Sequence, residues 1–181
     1  MITSMPLVRI LVIASLLGSF EPAVPLRAAE PTKTTPTTVT VDFSPPVQIK
    51  LQRYGKEEGA VLQARIEAAV VSACDKGGKV PAGVTLAITV LDVVPSYATR
   101  EQLNADPSID PVSTHYLGGA DLTGSLRDSK SQVLATVKHR YYPPSLKWRS
   151  RSFDPWADAN IAIEQFADKV GAVCRRLPAT T

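Results

Sequence analysis

Residues 84–94 read Val84-Thr85-Leu86-Ala87-Ile88-Thr89-Val90-Leu91-Asp92-Val93-Val94, and their alternation decides the fold class. Val84, Leu86, Ile88 and Val90 point one way and Thr85, Ala87 and Thr89 the other, the period-2 signature of a strand with one buried and one wetted face. Such a sheet needs a covering layer on one side, and the flanking sequence supplies it. Upstream, Leu62, Ile66, Val70 and Ala73 recur at helical spacing between about Lys56 and Asp75, with Glu57 and Glu58 suited to the positive helix end and Gly77-Gly78 to a left-handed exit. Downstream, Ile163, Phe166, Val170, Val173 and Leu177 mark the inner stripe of a second helix, with Asp154 expected as its N-cap and Pro155 as its first residue.

Three more segments alternate. Val39, Val41 and Phe43 form a strand that Pro45-Pro46 stops. Ala120, Leu122, Gly124 and Leu126 lead into the polar turn Arg127-Asp128-Ser129-Lys130-Ser131, and Val133, Ala135, Val137 and Tyr141 lead back, which predicts a hairpin. Between Pro95 and about Leu117 the periodicity lapses into a long connection, with a helical turn expected near Arg100 to Leu103. A connection of that length is usually functional or mobile. The order is β-α-β-β-β-α without an internal repeat, so we expect an α+β domain, residues 39–178, with two helices packed on one face of a mainly antiparallel four-stranded sheet.

Composition agrees with one such domain. The 181 residues are 44% hydrophobic and 20% charged, with 15 Pro and 10 Gly, which excludes collagen-like, coiled-coil and disordered chains. A body of about 150 residues buries roughly two-thirds of its unfolded surface, so stability requires no metal or dense disulfide framework. The net charge of +3 is small for a nucleic-acid binder of this size, so no nucleic-acid partner is expected.

The first 29 residues read as a secretory signal: Arg9 gives a positive start, Ile10 to Leu17 an apolar run, and Ala28-Ala29 a small-residue exit with cleavage after one or the other. Eight residues are too few to span a bilayer, and no other stretch approaches eighteen apolar residues, so the mature chain is expected to lack a transmembrane span. Removal of Arg9, Arg27 and Glu21 leaves +2. No cysteine precedes Cys74, which excludes lipid attachment at a signal-adjacent cysteine. Residues 30–38, rich in Thr and Pro, form a flexible lead-in. The expected location is the periplasm or the exterior.

Cys74 and Cys174 each fall in the last turn of their helix, and an exported protein can oxidise them. Helices lying side by side in one direction would bring the thiols together, so a Cys74–Cys174 disulfide is expected; the alternative is two buried thiols that never meet. Neither belongs to a Cys-x-x-Cys pair of the redox-catalytic kind. His115 and His139 lack a second ligand at metal spacing, no Gly-x-Ser-x-Gly elbow exists, and Gly77-Gly78 and Gly118-Gly119 lack phosphate-loop spacing. No metal, cofactor or catalytic residue is therefore assigned, and the chain reads as a non-enzyme.

The most distinctive composition lies in 138–153. There Lys138, Arg140, Lys147, Arg149 and Arg151 interleave with Tyr142, Trp148 and Phe153, with no acidic residue among them. Cationic and aromatic side chains together grip anions by charge, bidentate Arg contacts and cation–π stacking. Lys138, Arg140, Tyr142, Lys147, Trp148, Arg149 and Arg151 are the candidate residues for an anionic ligand or partner.

In layout, from Val39 through the strand 84–94, the hairpin Ala120-Asp121-Leu122-Thr123-Gly124-Ser125-Leu126 to Tyr141, and the helix after Asp154, the chain resembles small Gram-negative envelope domains: the lipopolysaccharide-assembly lipoprotein, the auxiliary lipoproteins of ABC-type transport, and the N-terminal domain of TolB. The resemblance implies a non-catalytic accessory or binding domain of the cell envelope, partnered by an envelope protein or an anionic lipid or glycan, and it transfers no functional residue. The alternative is a small secreted hydrolase or enzyme inhibitor working through the 96–117 connection, where His115 could join Glu101, Asp106 and Asp110.

Overall fold

The computed structural model describes residues 38–77, 83–111 and 113–177. The expected export signal and nearly all of the lead-in lie outside them, as does Gly78. Four strands, β1 (Thr38–Phe43), β2 (Thr85–Val94), β3 (Gly119–Arg127) and β4 (Val133–Tyr141), form one sheet in that spatial order. β1 and β2 are parallel and the other two pairs antiparallel. The architecture is α+β, with the long helices α2 (Glu58–Gly77) and α4 (Ala157–Cys174) covering the sheet. A parallel β1–β2 pair cannot be joined by a tight turn, and the crossover is made by α2 together with a helix that the sequence pattern did not reveal.

That helix is α1 (Pro45–Tyr54). Pro45-Pro46 were expected only to end β1, yet a fixed φ near −65° and a missing N–H also suit the first helical turn, where no intrahelical acceptor exists. Ser44 continues the sheet ladder through its N–H to the Val90 carbonyl at 3.0 Å, and α1 turns away from it to bury Val47 and Leu51. Gly55, at φ +143°, ends α1 and donates to the Leu51 carbonyl.

One inserted residue keeps β2 in register with its core. Simple alternation would carry Asp92 inward after Leu86, Ile88 and Val90. A bulge at Leu91 resets the phase, so Asp92 pairs with Asp121 on the open face and Val93 is buried. A second irregularity beside Leu126 places the exposed Leu134 out of register. The hairpin turn holds as expected: Asp128 Oδ1 accepts from the backbone N–H groups of Lys130 and Gln132, both at 2.8 Å, and Ser131 takes the left-handed conformation at φ 63°.

The last helix starts later than its cap signal. Asp154 and Pro155 form a preceding turn, in which the Asp154 carboxylate accepts from Trp156 N–H at 2.9 Å and its carbonyl from Ala157 N–H at 3.0 Å; Trp156 is the residue at the cap position. The helices run parallel. At their starts Arg65 Nη1 donates to Asp154 Oδ2 at 2.8 Å and Trp156 Nε1 donates to Glu58 Oε2 at 2.5 Å. At their ends a Cβ on Gly171 would lie 2.7 Å from the Ala73 carbonyl oxygen, so a residue without a side chain sets the spacing there. The same approach joins Cys74 and Cys174 in a disulfide, their Cα atoms 5.7 Å apart. Leu62, Ile66, Val70, Ile163, Phe166 and the β-strand side chains Leu86, Ile88, Leu122 and Leu126 meet between the layers. No described helix is long and apolar enough to cross a membrane.

The bond closes a separation of 100 residues, which constrains the unfolded chain by about 4–5 kcal/mol in the chain-entropy account. We expect the unreduced, denatured protein to show no thiol reactive toward a colorimetric reagent, and reduction to lower unfolding stability by a few kcal/mol in a denaturant titration. Two reactive thiols before reduction would contradict the pairing.

Candidate docking surface

The segment from the end of β4 to the start of α4 makes two kinds of contact. Its backbone is fastened inward while its largest side chains face out. Inward, Ser150 N–H donates to Asp158 Oδ1 at 2.6 Å, and the other oxygen of that fully buried carboxylate accepts from Ser96 Oγ at 2.8 Å. Ser96 is itself fully buried: its Oγ accepts from Asp158 N–H at 3.0 Å, its N–H donates to the Pro155 carbonyl at 2.6 Å, and its carbonyl accepts from Tyr116 N–H at 3.0 Å. Position 118 must be glycine for this to close, since a Cβ there would lie 2.4 Å from Ser96 Oγ. No ion pair holds this buried side chain among the described residues; it is held by these donors and by its place in the first turn of α4.

Tyr97, next to Ser96, organises the aromatic groups. Its buried ring meets His115 edge-on at 5.1 Å and Phe153 at 5.6 Å, and Arg149 stacks over it at 5.3 Å while donating to its hydroxyl. Arg149 is thus already occupied within the fold. Tyr142 is occupied too: its hydroxyl donates to Asp92 Oδ2 at 2.8 Å, Lys50 Nζ donates to Asp92 Oδ1 at 2.5 Å, and Arg140 lies over the Tyr142 ring at 5.3 Å. The seven candidates therefore divide. Lys138, Arg140 and Tyr142 belong to β4 and its end; Lys147, Trp148 and Arg151 sit on the loop; Arg149 folds back onto Tyr97.

A 3₁₀ turn, Leu146–Trp148, lifts the loop's middle. Trp148 is 68% exposed and Phe153 74%, the two most exposed large apolar side chains among the described residues, and Leu146 is half exposed. Lys147 and Arg151 are also exposed, and neither side chain makes an ion pair among the described residues.

The 96–117 connection carries α3 (Arg100–Ala105), started by a reciprocal Thr99–Gln102 capping box. Its acids turn toward their own chain. Asp106 Oδ1 accepts from Ser108 Oγ at 2.6 Å and from Ser108 N–H at 3.0 Å, bonds that hold its carboxyl below the usual value. Ser113 Oγ donates to Asp110 Oδ2 at 2.6 Å. His115 is half-buried with Nδ1 unpartnered, and the 450 Å³ depression that includes Glu101 is lined by Lys56, Glu57, Glu58 and Arg100 without His115. No group of His, Cys, Asp or Glu among the described residues could hold a metal ion. His139 faces α4, accepting from Lys169 Nζ at its Nδ1 (2.9 Å), so its Nε2–H donates to Gln165 Oε1 at 2.8 Å.

Sequence reasoning missed Ser96 and Asp158. They stand 62 positions apart, and the only local signal was an acid in the first turn of a helix. No protein-family model, curated protein or solved structure shows significant similarity to this chain.

The buried bonds predict that Asp158→Asn, which replaces an acceptor by an amide donor facing Ser150 N–H or Ser96, lowers stability by about 1–3 kcal/mol in denaturant unfolding; a loss within measurement error would show that the pair is not a fastening. Asp92 supplies a pH test. Burial raises its pKa, but the Lys50 and Tyr142 hydrogen bonds and the Lys50 charge outweigh burial and bring it below the ordinary value. A lowered carboxyl contributes stability that is present above the unfolded-state pKa and lost as pH falls through the folded value. Tyr142→Phe should therefore cost about 1 kcal/mol at pH 7, at the modest end because Asp92 is more than a third exposed, and the gap from wild type should narrow below about pH 4.

Proposed function

We propose that this chain is a non-catalytic periplasmic or secreted accessory domain of the bacterial cell envelope, which docks through the basic and aromatic loop between β4 and α4. The observation that carries this reading is the pairing of two highly exposed aromatic side chains, Trp148 and Phe153, with the exposed Lys147 and Arg151, which make no ion pair among the described residues, on a backbone fixed from behind by Ser150 and Asp158. A solvated loop gains nothing from exposing aromatic rings, whereas a docking surface gains their burial when a partner covers them. Holding the backbone in advance reduces the ordering cost of binding.

A hydrolase or inhibitor working through 96–117 is the second reading. It draws support from the buried, unpartnered Nδ1 of His115.

On the docking reading, Lys147→Ala with Arg151→Ala weakens binding to an anionic envelope component, lipopolysaccharide being the first probe, and flattens its dependence on salt. Arg149→Ala mainly lowers the melting temperature, because its guanidinium is engaged with Tyr97. Isothermal titration at two salt concentrations and thermal unfolding separate the effects. Unchanged affinity and unchanged salt response in the Lys147/Arg151 variant would overturn the assignment.

A further inference from the structure

The loop's chemistry narrows the class of partner. Residues 138–153 contain five Lys and Arg and no Asp, Glu, Asn or Gln. Five cations exceed the whole chain's +3, so everything outside this segment is net acidic by two charges. Two of the five, Lys147 and Arg151, are exposed on the same loop that exposes Leu146, Trp148 and Phe153. A sugar site would combine stacking aromatics with carboxylate or amide groups that bond hydroxyls, and this segment offers none. Leu146, Trp148 and Phe153 are instead the residue types that enter the interfacial region of a bilayer, where Trp rings are favoured and Lys and Arg meet headgroup phosphates.

We propose that the 146–153 loop is an interfacial anchor for an anionic phospholipid surface. Trp148 and Phe153 insert at headgroup level, Leu146 adds apolar area, and Lys147 and Arg151 pair with lipid phosphates. The anchor is shallow and reversible, since three apolar side chains on one loop bury little hydrocarbon area. Its backbone is held before contact by the Ser150–Asp158 bond, and the neighbouring Arg149 side chain is held on Tyr97. The proposal rests on the docking function above and names its partner.

The fluorescence of the protein itself reports the event. Only two tryptophans exist, and Trp156 is buried, so a lipid-dependent blue shift must come from Trp148. The test uses the protein purified from the exported fraction as the cell processes it, with vesicles of phosphatidylcholine alone or of an equal mixture with phosphatidylglycerol. Expected are co-sedimentation and a blue shift with the mixed vesicles only, both reduced by salt. Trp148→Ser with Phe153→Ser should abolish sedimentation. Lys147→Ala with Arg151→Ala should weaken it at least tenfold, at about fivefold per charge near the surface. All four positions are exposed, and unchanged melting temperatures will verify that the variants are folded. Trp148→Phe should keep sedimentation and lose the shift. Soluble polyphosphate forms a second arm: binding to polyphosphate but not to mixed vesicles overturns the lipid anchor and leaves an anion-docking domain standing, whereas binding to neither removes both. Equal sedimentation with the two vesicle types, or binding unaffected by the paired serine substitutions, also overturns it.

Discussion

Two buried polar side chains, Ser96 and Asp158, hold together two stretches without regular structure, the connection after β2 and the loop before α4. Ser96 spends its N–H and hydroxyl on the stretch from Pro155 to Asp158 and its carbonyl on Tyr116. Both side chains are removed from water, where an unmet donor or acceptor is expensive, so the long connection after β2 and the loop before α4 can settle only in positions that satisfy both at once. Gly118 leaves the room this requires. The hydrophobic layers would form from helix and strand stripes alone; the placement of the loops over them would not.

That division explains what the sequence could convey. Period-2 and period-3.6 patterns report which residues face a core, so β2, the 119–141 hairpin and the two long helices were readable, and the cysteines at matching helix ends were readable as a consequence. The pattern of 45–54 was too short and too polar to announce a helix beginning with two prolines, although Val47 and Leu51 are buried. The bulge at Leu91 depends on a single residue, and alternation on either side of it looks intact. Ser96 and Asp158 leave no periodic trace at all, because their requirement is for each other.

The candidate surface was legible as composition and illegible as arrangement. Interleaved cations and aromatics in 138–153 were visible, but nothing local distinguishes Arg149, which folds onto Tyr97, from Arg151, which does not. Their separation follows from Tyr97, 52 residues before Arg149, offering both a ring face and a hydroxyl. Likewise Tyr142 is committed to an acid on β2 that faces outward only because of the bulge. Tertiary partners thus decide which members of a charged stretch remain available to something outside the molecule.

The two fastenings act at opposite ends of α4. Asp158 stands in the first turn of α4 and Cys174 in the last, about 24 Å apart at 1.5 Å per residue. The disulfide works mainly by limiting the unfolded chain, while the Ser96–Asp158 pair works in the folded state by fixing loop positions. Opening the disulfide therefore changes how often the whole domain unfolds, but leaves the geometry of Trp148 and Phe153 in the folded molecules as it was. Disturbing Ser96, Tyr97 or Gly118 acts on both: it lowers the stability of the fold and removes the support of the outward loop. Surface geometry is in this way set at one end of the fold, whereas the disulfide at the other end contributes to stability alone.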